Sequence, residues 1–312
     1  MDHGWKGDPP PVWRDRLAEI KARALATADA LAGYPALKRQ FEAETGYVPD
    51  LVNPRTVSEK ITWRKLRDRD PRYPFVADKL RVRAYVADRL GEAAVVRLFP
   101  RLHLAAARAR DIDLRHLPPN LAIKANHASG WNMFLREGEP VDEERLRRIC
   151  AHWLRRTYAP HKHEWAYRQI PRRILFEDLL TTPDGGAPDD VKFHMYDGVC
   201  RRCTVERRGP DGIAARHYAP DWSDHPTANT GRTGPSVLPR RPAPRGLAEM
   251  HEVARALSGD FDYLRVDFLD LGPRFVMTEL TLYPASGMGG RQYDADVELA
   301  RHWRNPRWAE AA

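Results

Sequence analysis

The sequence predicts an α+β fold on three observations. Apolar residues recur at helical spacing through the first third of the chain, and from Leu121 short apolar runs bounded by turn residues take over. A hairpin pattern then closes the series at residues 265–283.

The elements follow in order. The first 45 residues read as helical, with Trp13, Leu17, Ile20, Ala24 and Leu31 at helical spacing and charges on the other faces. NPRTVSEKITWRKL carries a capping box, Thr56 to Glu59, that opens a short helix. FVADKLRVRAYVADRLG is a second amphipathic helix, stopped by Gly91. LAIKANHASGWNMFL, from Leu121, reads as strand, small-residue loop and a further apolar stretch, and DEERLRRICAHWLRRTY is a charged helix. RRILFEDLL is a buried strand and DDVKFHMYDG a strand ending in a turn. Residues 217–246, rich in Pro, Gly and small polar side chains, read as a long loop. A helix at LAEMHEVARALSG leads into the hairpin.

With 312 residues, 42% of them hydrophobic, the chain can bury a core and build two or three subdomains. No run approaches the ~18 apolar residues of a membrane span, so a cytoplasmic protein is expected. Three cysteines are too few for a secreted disulfide framework. The formal charge of +8 is spread along the chain instead of forming one basic block, which argues against nucleic acid as partner. Only nine of the 51 basic residues are lysines, so each lysine, a compact charge suited to a phosphate oxygen, is informative.

In RVDFLDLGPRFVMTEL two acids sit inside strands, where a carboxylate facing a packed layer is costly unless a cation meets it. Alternation places Arg265 with Asp267 on one face, and Glu279 with Thr281 on one face. A five-residue loop, Asp270 to Arg274, sets Asp267 opposite Met277 and diagonal to Glu279, ready to share a cation. A four-residue loop throws the acids onto opposite faces unless a bulge restores the register. Facing acids are also expected to repel each other in the metal-free protein. Taken alone, the hairpin fits an exposed face with two solvated acids better than a metal site, and the rest of the chain must decide.

Other residues line up with this pair. Lys124 precedes the small-residue loop NHASG, whose backbone N–H groups suit a phosphate chain, and Lys79 lies near a helix start. Glu177 lies in an apolar strand before Asp178, Leu179 and Leu180, a segment whose backbone can meet a flat base. The order NPRTVSEKITW, DKLRVRAYV, IKANHASG, FEDLL, VKF, RVDF and TELTLYPASG resembles the TupA-like ATP-grasp family, associated with teichuronic acid and other surface polysaccharides. The resemblance covers about residues 53–290, and the hairpin is similar to the D-alanine–D-alanine ligase pattern.

That resemblance implies an ATP-grasp fold in which two α+β subdomains hold ATP. Residues 1–110 would form an N-terminal helical part, 111–177 the lid and 178–312 the subdomain with the magnesium site. It implies a ligase that joins a carboxylate and an amine at the expense of ATP, with a small-molecule, saccharide or peptide-like acceptor. Lys79, Lys124 and Lys192 would meet phosphates under a cover formed by Asn126, His127, Ser129 and Gly130. Glu177, Asp178, Leu179 and Leu180 would meet adenine, and Asp190 the ribose. Asp267 and Glu279 would hold Mg²⁺, with Thr281 a weaker ligand where many ATP-grasp enzymes carry Asn. Arg265 and Lys124 would act on the transferring phosphoryl group, and Ser286 and Gly287 would face the acceptor. Trp131, where relatives often have Gly, would stiffen the cover.

Two further motifs have weaker readings. CRRC, Cys200 to Cys203, has the spacing of half a zinc site or a redox pair, and HKHEW is a surface histidine cluster. Arg201 to Arg208 reads as a solvated strand end that would suit an acidic saccharide.

Overall fold

The computed structural model describes residues 7–209, 212–225, 236–289 and 293–308. Its two sheets are separate. The smaller contains β1 (Leu102–Ala106), β2 (Leu121–Ala125), β3 (Asn132–Leu135) and β4 (Ile174–Asp178), ordered β1-β4-β2-β3 and antiparallel throughout. This sheet reaches back past residue 110, because β1 pairs with β4. The helix Glu143–Arg155, N-capped by Asp142, covers it with Leu146, Ile149, Cys150 and Trp153.

The larger sheet holds β5 (Asp189–Tyr196), β6 (Val199–Gly209), β7 (Gly212–Tyr218), β8 (Ser236–Val237), β9 (Tyr263–Asp270) and β10 (Phe275–Thr281). Their order is β10-β9-β5-β6-β7-β8, antiparallel except for the β7–β8 pair. Part of the expected long loop is therefore strand, at His217 and Tyr218, which end β7, and at Ser236–Val237, while residues 226–235 of it lie outside the described residues. The helix Leu247–Ser258 packs Met250, Val253, Ala254 and Leu257 into the core that includes Val191, Phe193, Val266, Phe268 and Met277.

The capping box forms as predicted. The Thr56 hydroxyl accepts from the Glu59 N–H at 3.0 Å, and the Glu59 carboxylate accepts from the backbone of Thr56, Arg55 and Asp50. The resulting helix, Val57–Arg67, is buried along almost its whole length. The first helix, Val12–Leu31, behaves differently. Its apolar positions face outward, with Trp13 60% and Ile20 65% exposed, while Asp15 is buried. Ion pairs from Asp15 to Arg155 and Arg156, with the His152 ring 3.0 Å away, dock this helix by its polar side. Charge pairing has overridden the apolar periodicity there.

Candidate active site

The hairpin resolves the ambiguity of its own sequence. Asp270 pairs with Phe275, so the loop is Leu271–Arg274, four residues and not five, with Gly272 at φ +85°. A regular ladder would then separate the acids. Instead the register shifts between Met277 and Glu279, and the extra residue, Thr278, forms a bulge. Asp267 therefore stands directly opposite Glu279, not diagonal to it.

Asp267 is buried, Glu279 is partly buried, and both are compensated. Arg265 donates to both oxygens of Asp267 at 2.7 and 2.5 Å and approaches Glu279 at 3.8 Å. Lys79 meets Glu279 at 3.1 Å, and the Thr281 hydroxyl lies 3.3 Å from Asp267 and 3.2 Å from Glu279. Burial pushes the Glu279 carboxyl up, but Lys79, Arg265 and Lys192 together outweigh it and hold the group down at about 2. Asp267 is raised, by burial first and by Glu279, against the pull of Arg265. The expected repulsion between the acids is thus offset in the protein itself.

β5 extends this surface sideways. Lys192 stands opposite Asp267, and His194 stands opposite Arg265. Lys192 pairs with Glu206 across the next strand, and burial lifts Asp190 to about 6 although Lys192 pulls it down. Asp190, Lys192, His194, Arg265, Asp267 and Glu279 thus share one face of the large sheet.

On the small sheet, Glu177 is held from both sides, by Lys124 at 2.9 Å and Arg83 at 2.7 Å, and is 5% exposed. Burial raises its carboxyl, but Lys124 and Arg83 hold it below the ordinary range. The N–H groups of Asp178 and Leu179 donate to the carbonyls of Arg101 and Asn120, at 3.0 and 3.2 Å. They are engaged within the sheet, and Leu180 follows the strand's end.

The loop expected to cover ATP is anchored at its start. Asn126 donates to Asp78 and to the Pro171 carbonyl and accepts from the Arg173 N–H, while His127 contacts the Trp153 carbonyl. Both side chains are buried, so Ser129 and Gly130 form the exposed tip, with Gly130 at φ +74°. Lys79 ties this loop to the acids, since its Nζ donates to the Ala128 carbonyl at 2.8 Å. Trp131 packs edge-on to His127 and stacks on Trp153.

Ser286 and Gly287 sit in a tight turn beyond β10 in which Ala285, Ser286 and Gly287 all have positive φ. A Cβ on Gly287 would lie 2.6 Å from the Thr62 hydroxyl and 2.7 Å from the Ser58 carbonyl. Lys65, fully buried, donates to the Ser286 carbonyl at 2.6 Å and lies 3.0 Å from its hydroxyl. Burial lowers this lysine to about 8, against Glu164 beside it. Sequence reasoning missed Lys65, Glu164 and Arg83. The scarcity of lysine pointed to Lys65, but its helix read as purely structural.

Cys200 and Cys203 lie with sulfurs 3.7 Å apart on the apolar side of the large sheet, and His163 of HKHEW pairs with Asp29 at 2.9 Å. Among the described residues no group of three or more His, Cys, Asp or Glu is arranged to hold a metal. Asp267, Glu279 and Thr281 nevertheless fit Mg²⁺, which binds through one or two carboxylates together with phosphate oxygens and water.

Among solved structures, the chain is similar to the ATP-grasp ligase PsnB complexed with minimal precursor, at 14% identity and a TM-score of 0.41, covering 75% of this chain and 61% of that one. It is also similar to the D-alanine–D-alanine ligase of Bacillus anthracis complexed with ATP, at 13% identity and a TM-score of 0.40, covering 76% and 64%. A third similar structure is the N5-carboxyaminoimidazole ribonucleotide synthetase of Thermus thermophilus, at 11% identity and a TM-score of 0.37, covering 66% and 45%. The chain thus spans less than two thirds of the length of each. No curated protein matches it. A family model described as TupA-like ATPgrasp matches residues 59–300, a span that holds both sheets and the acid pair. This is an ATP-grasp protein. Within that class, the chain belongs to the TupA-like ATP-grasp family.

Proposed function

We propose that the protein is an ATP- and Mg²⁺-dependent ligase that joins a carboxylate to an amine through an acyl phosphate. The observation that carries this reading is the register that sets Asp267 against Glu279 on a buried face with Arg265, Lys192 and Lys79. An interaction surface without chemistry has no need of a largely buried acid pair faced by three cations.

In this reading Lys79, Lys124 and Lys192 bind and orient the phosphates, with Ser129 and Gly130 over them. Glu177, Asp178, Leu179 and Leu180 line the adenine, and Asp190 takes the ribose hydroxyls. Asp267 and Glu279, assisted by Thr281, hold Mg²⁺, which when bound neutralises charge on the phosphate oxygens. Arg265 stabilises the charge that develops as a substrate carboxylate oxygen attacks the γ-phosphorus and ADP leaves. The amine then attacks the acyl carbon, phosphate departs, and the new amide loses a proton. Ser286 and Gly287, in a turn fixed by Lys65, line the acceptor's side.

The acceptor is a small molecule, saccharide or peptide-like metabolite of polysaccharide or natural-product assembly, and the protein works in the cytoplasm. No described helix is long and apolar enough to cross a membrane. The same site could instead stop at a phosphorylated product, as a phosphotransferase does. Heavy-oxygen labelling of the substrate carboxylate separates the two. The ligase transfers one label to free phosphate, released in equal amount with ADP, whereas a product that keeps its label with no free phosphate identifies the phosphotransferase.

A further inference from the structure

The charged face of the large sheet is balanced almost everywhere, and one position stands out. On this face Arg265 pairs with Asp267 and Lys192 with Glu206. Arg202, on β6, has no such acid among the described residues. Its NH2 rests 3.4 Å from the His194 Nε2, and its Nε is buried without a hydrogen-bond partner. A guanidinium can only donate, so the His194 Nε2 accepts and Nδ1 carries the proton, directed at the Tyr263 hydroxyl at 3.0 Å.

The surroundings do not supply the missing charge. The Thr204 hydroxyl lies 3.3 Å from His194 and 3.0 Å from His217. Burial, and then Arg202 itself, push His194 and His217 toward the neutral form, His217 to about 3. His225 is lowered by the same two causes. Asp296 lies in the field of Arg202, but its carboxylate accepts from the Ser58 N–H and hydroxyl. A half-buried cation with no acid paired to it among the described residues and an unpaired Nε–H is an incomplete site for an anion.

Register fixes its position relative to the acid pair. Arg202 stands opposite His194, which stands opposite Arg265, so all three share the active face. Two strand spacings, about 10 Å, separate Arg202 from Arg265 across the sheet.

We propose that Arg202, flanked by His194, Thr204 and His217, anchors a carboxylate of the acceptor substrate, distinct from the carboxylate that is phosphorylated. One guanidinium among neutral imidazoles matches a single negative charge and a planar, bidentate partner. A carboxylate, in a mono- or dicarboxylate alike, sets one charge on the fork, whereas a phosphate dianion concentrates two there and leaves one uncompensated. The word acceptor rests on the ligase reading, whereas the anion site rests on its own geometry.

The test uses malonate as probe on the full chain, with histidine imidazoles labelled with nitrogen-15 and the resonances of His194 and His217 assigned through His194→Gln and His217→Gln. Malonate should shift both resonances saturably against a chloride control. The apparent affinity should fall at least about tenfold in Arg202→Gln, with Arg202→Lys in between, because the planar fork is lost before the charge. Thermal stabilisation by Mg²⁺-ATP should persist in both variants. Four results would overturn the proposal: no saturable shift in the wild type, equal shifts in Arg202→Gln, phosphate binding as tightly as malonate, or loss of ATP stabilisation in Arg202→Gln. Malonate binding in a wild-type protein that ignores ATP would sink the ligase reading alone.

Discussion

The two faces of the large sheet are both buried, yet they are held by different means. Along β5, Val191, Phe193 and Met195 alternate with Asp190, Lys192 and His194. The first set packs under the helix Leu247–Ser258, where nonspecific apolar contact is enough. The second set, together with the charges facing it, is held by individual compensation, Glu279 by Lys79 and Arg265, Asp267 by Arg265 and Glu206 by Lys192, with Glu279 and Glu206 still partly exposed. The first face resists change in proportion to volume. The second resists or rewards it according to charge.

The largest expected effect is on the apolar face. Phe268 is fully buried and meets the rings of Phe193 and Phe275 at 5.4 Å. Phe268→Ala should cost about 3–5 kcal/mol in denaturant unfolding, independent of pH between 5 and 8.

On the polar face, Glu279→Gln takes the carboxylate from Lys79 and Arg265 and should cost about 1–3 kcal/mol at pH 7. Glu279 has a folded-state pKa of about 2 against an ordinary 4.5. Its stabilisation is therefore present above pH 4.5 and is lost as pH falls toward 2. The difference between wild type and variant should shrink over that window, and a gap that persists undiminished would contradict the ionic account. Turnover should fall about 10²–10³-fold.

The smallest effect has the opposite sign. Asp190 is raised to about 6 from 3.8 by burial, so its ionisation opposes folding and stability is lost as pH rises through about 6. Asp190→Asn should stabilise the ligand-free protein by up to about 1 kcal/mol at pH 8, discounted for partial solvent screening, and by little at pH 4. Equal stability of the two proteins at pH 8 would remove Asp190 from the set of strained acids.

Much of this was legible in the sequence because alternation is. The order of Lys79, Lys124, Glu177, Asp267 and Glu279 named the family, and the capping box at Thr56 placed its helix. The register of the acids was not legible, since a four-residue loop with a bulge and a five-residue loop both keep them on one face. Nor could periodicity tell that the stripe from Trp13 to Leu31 faces outward, because what docks that helix is the buried Asp15 against residues 137 or more positions away. Arg202 escaped for a related reason: its significance lies in the absence, among the described residues, of an acid paired with it, which only the fold reveals.

The central claim is that Asp267 and Glu279 serve a metal–nucleotide complex. The most direct test is thermal unfolding of the wild type and of the Asp267→Asn, Glu279→Gln double variant, each with ATP in Mg²⁺ and with ATP in excess chelator. The wild type should gain stability from ATP only when Mg²⁺ is present. The folded double variant should show no Mg²⁺-dependent gain. An equal Mg²⁺-dependent gain in both proteins would contradict the account.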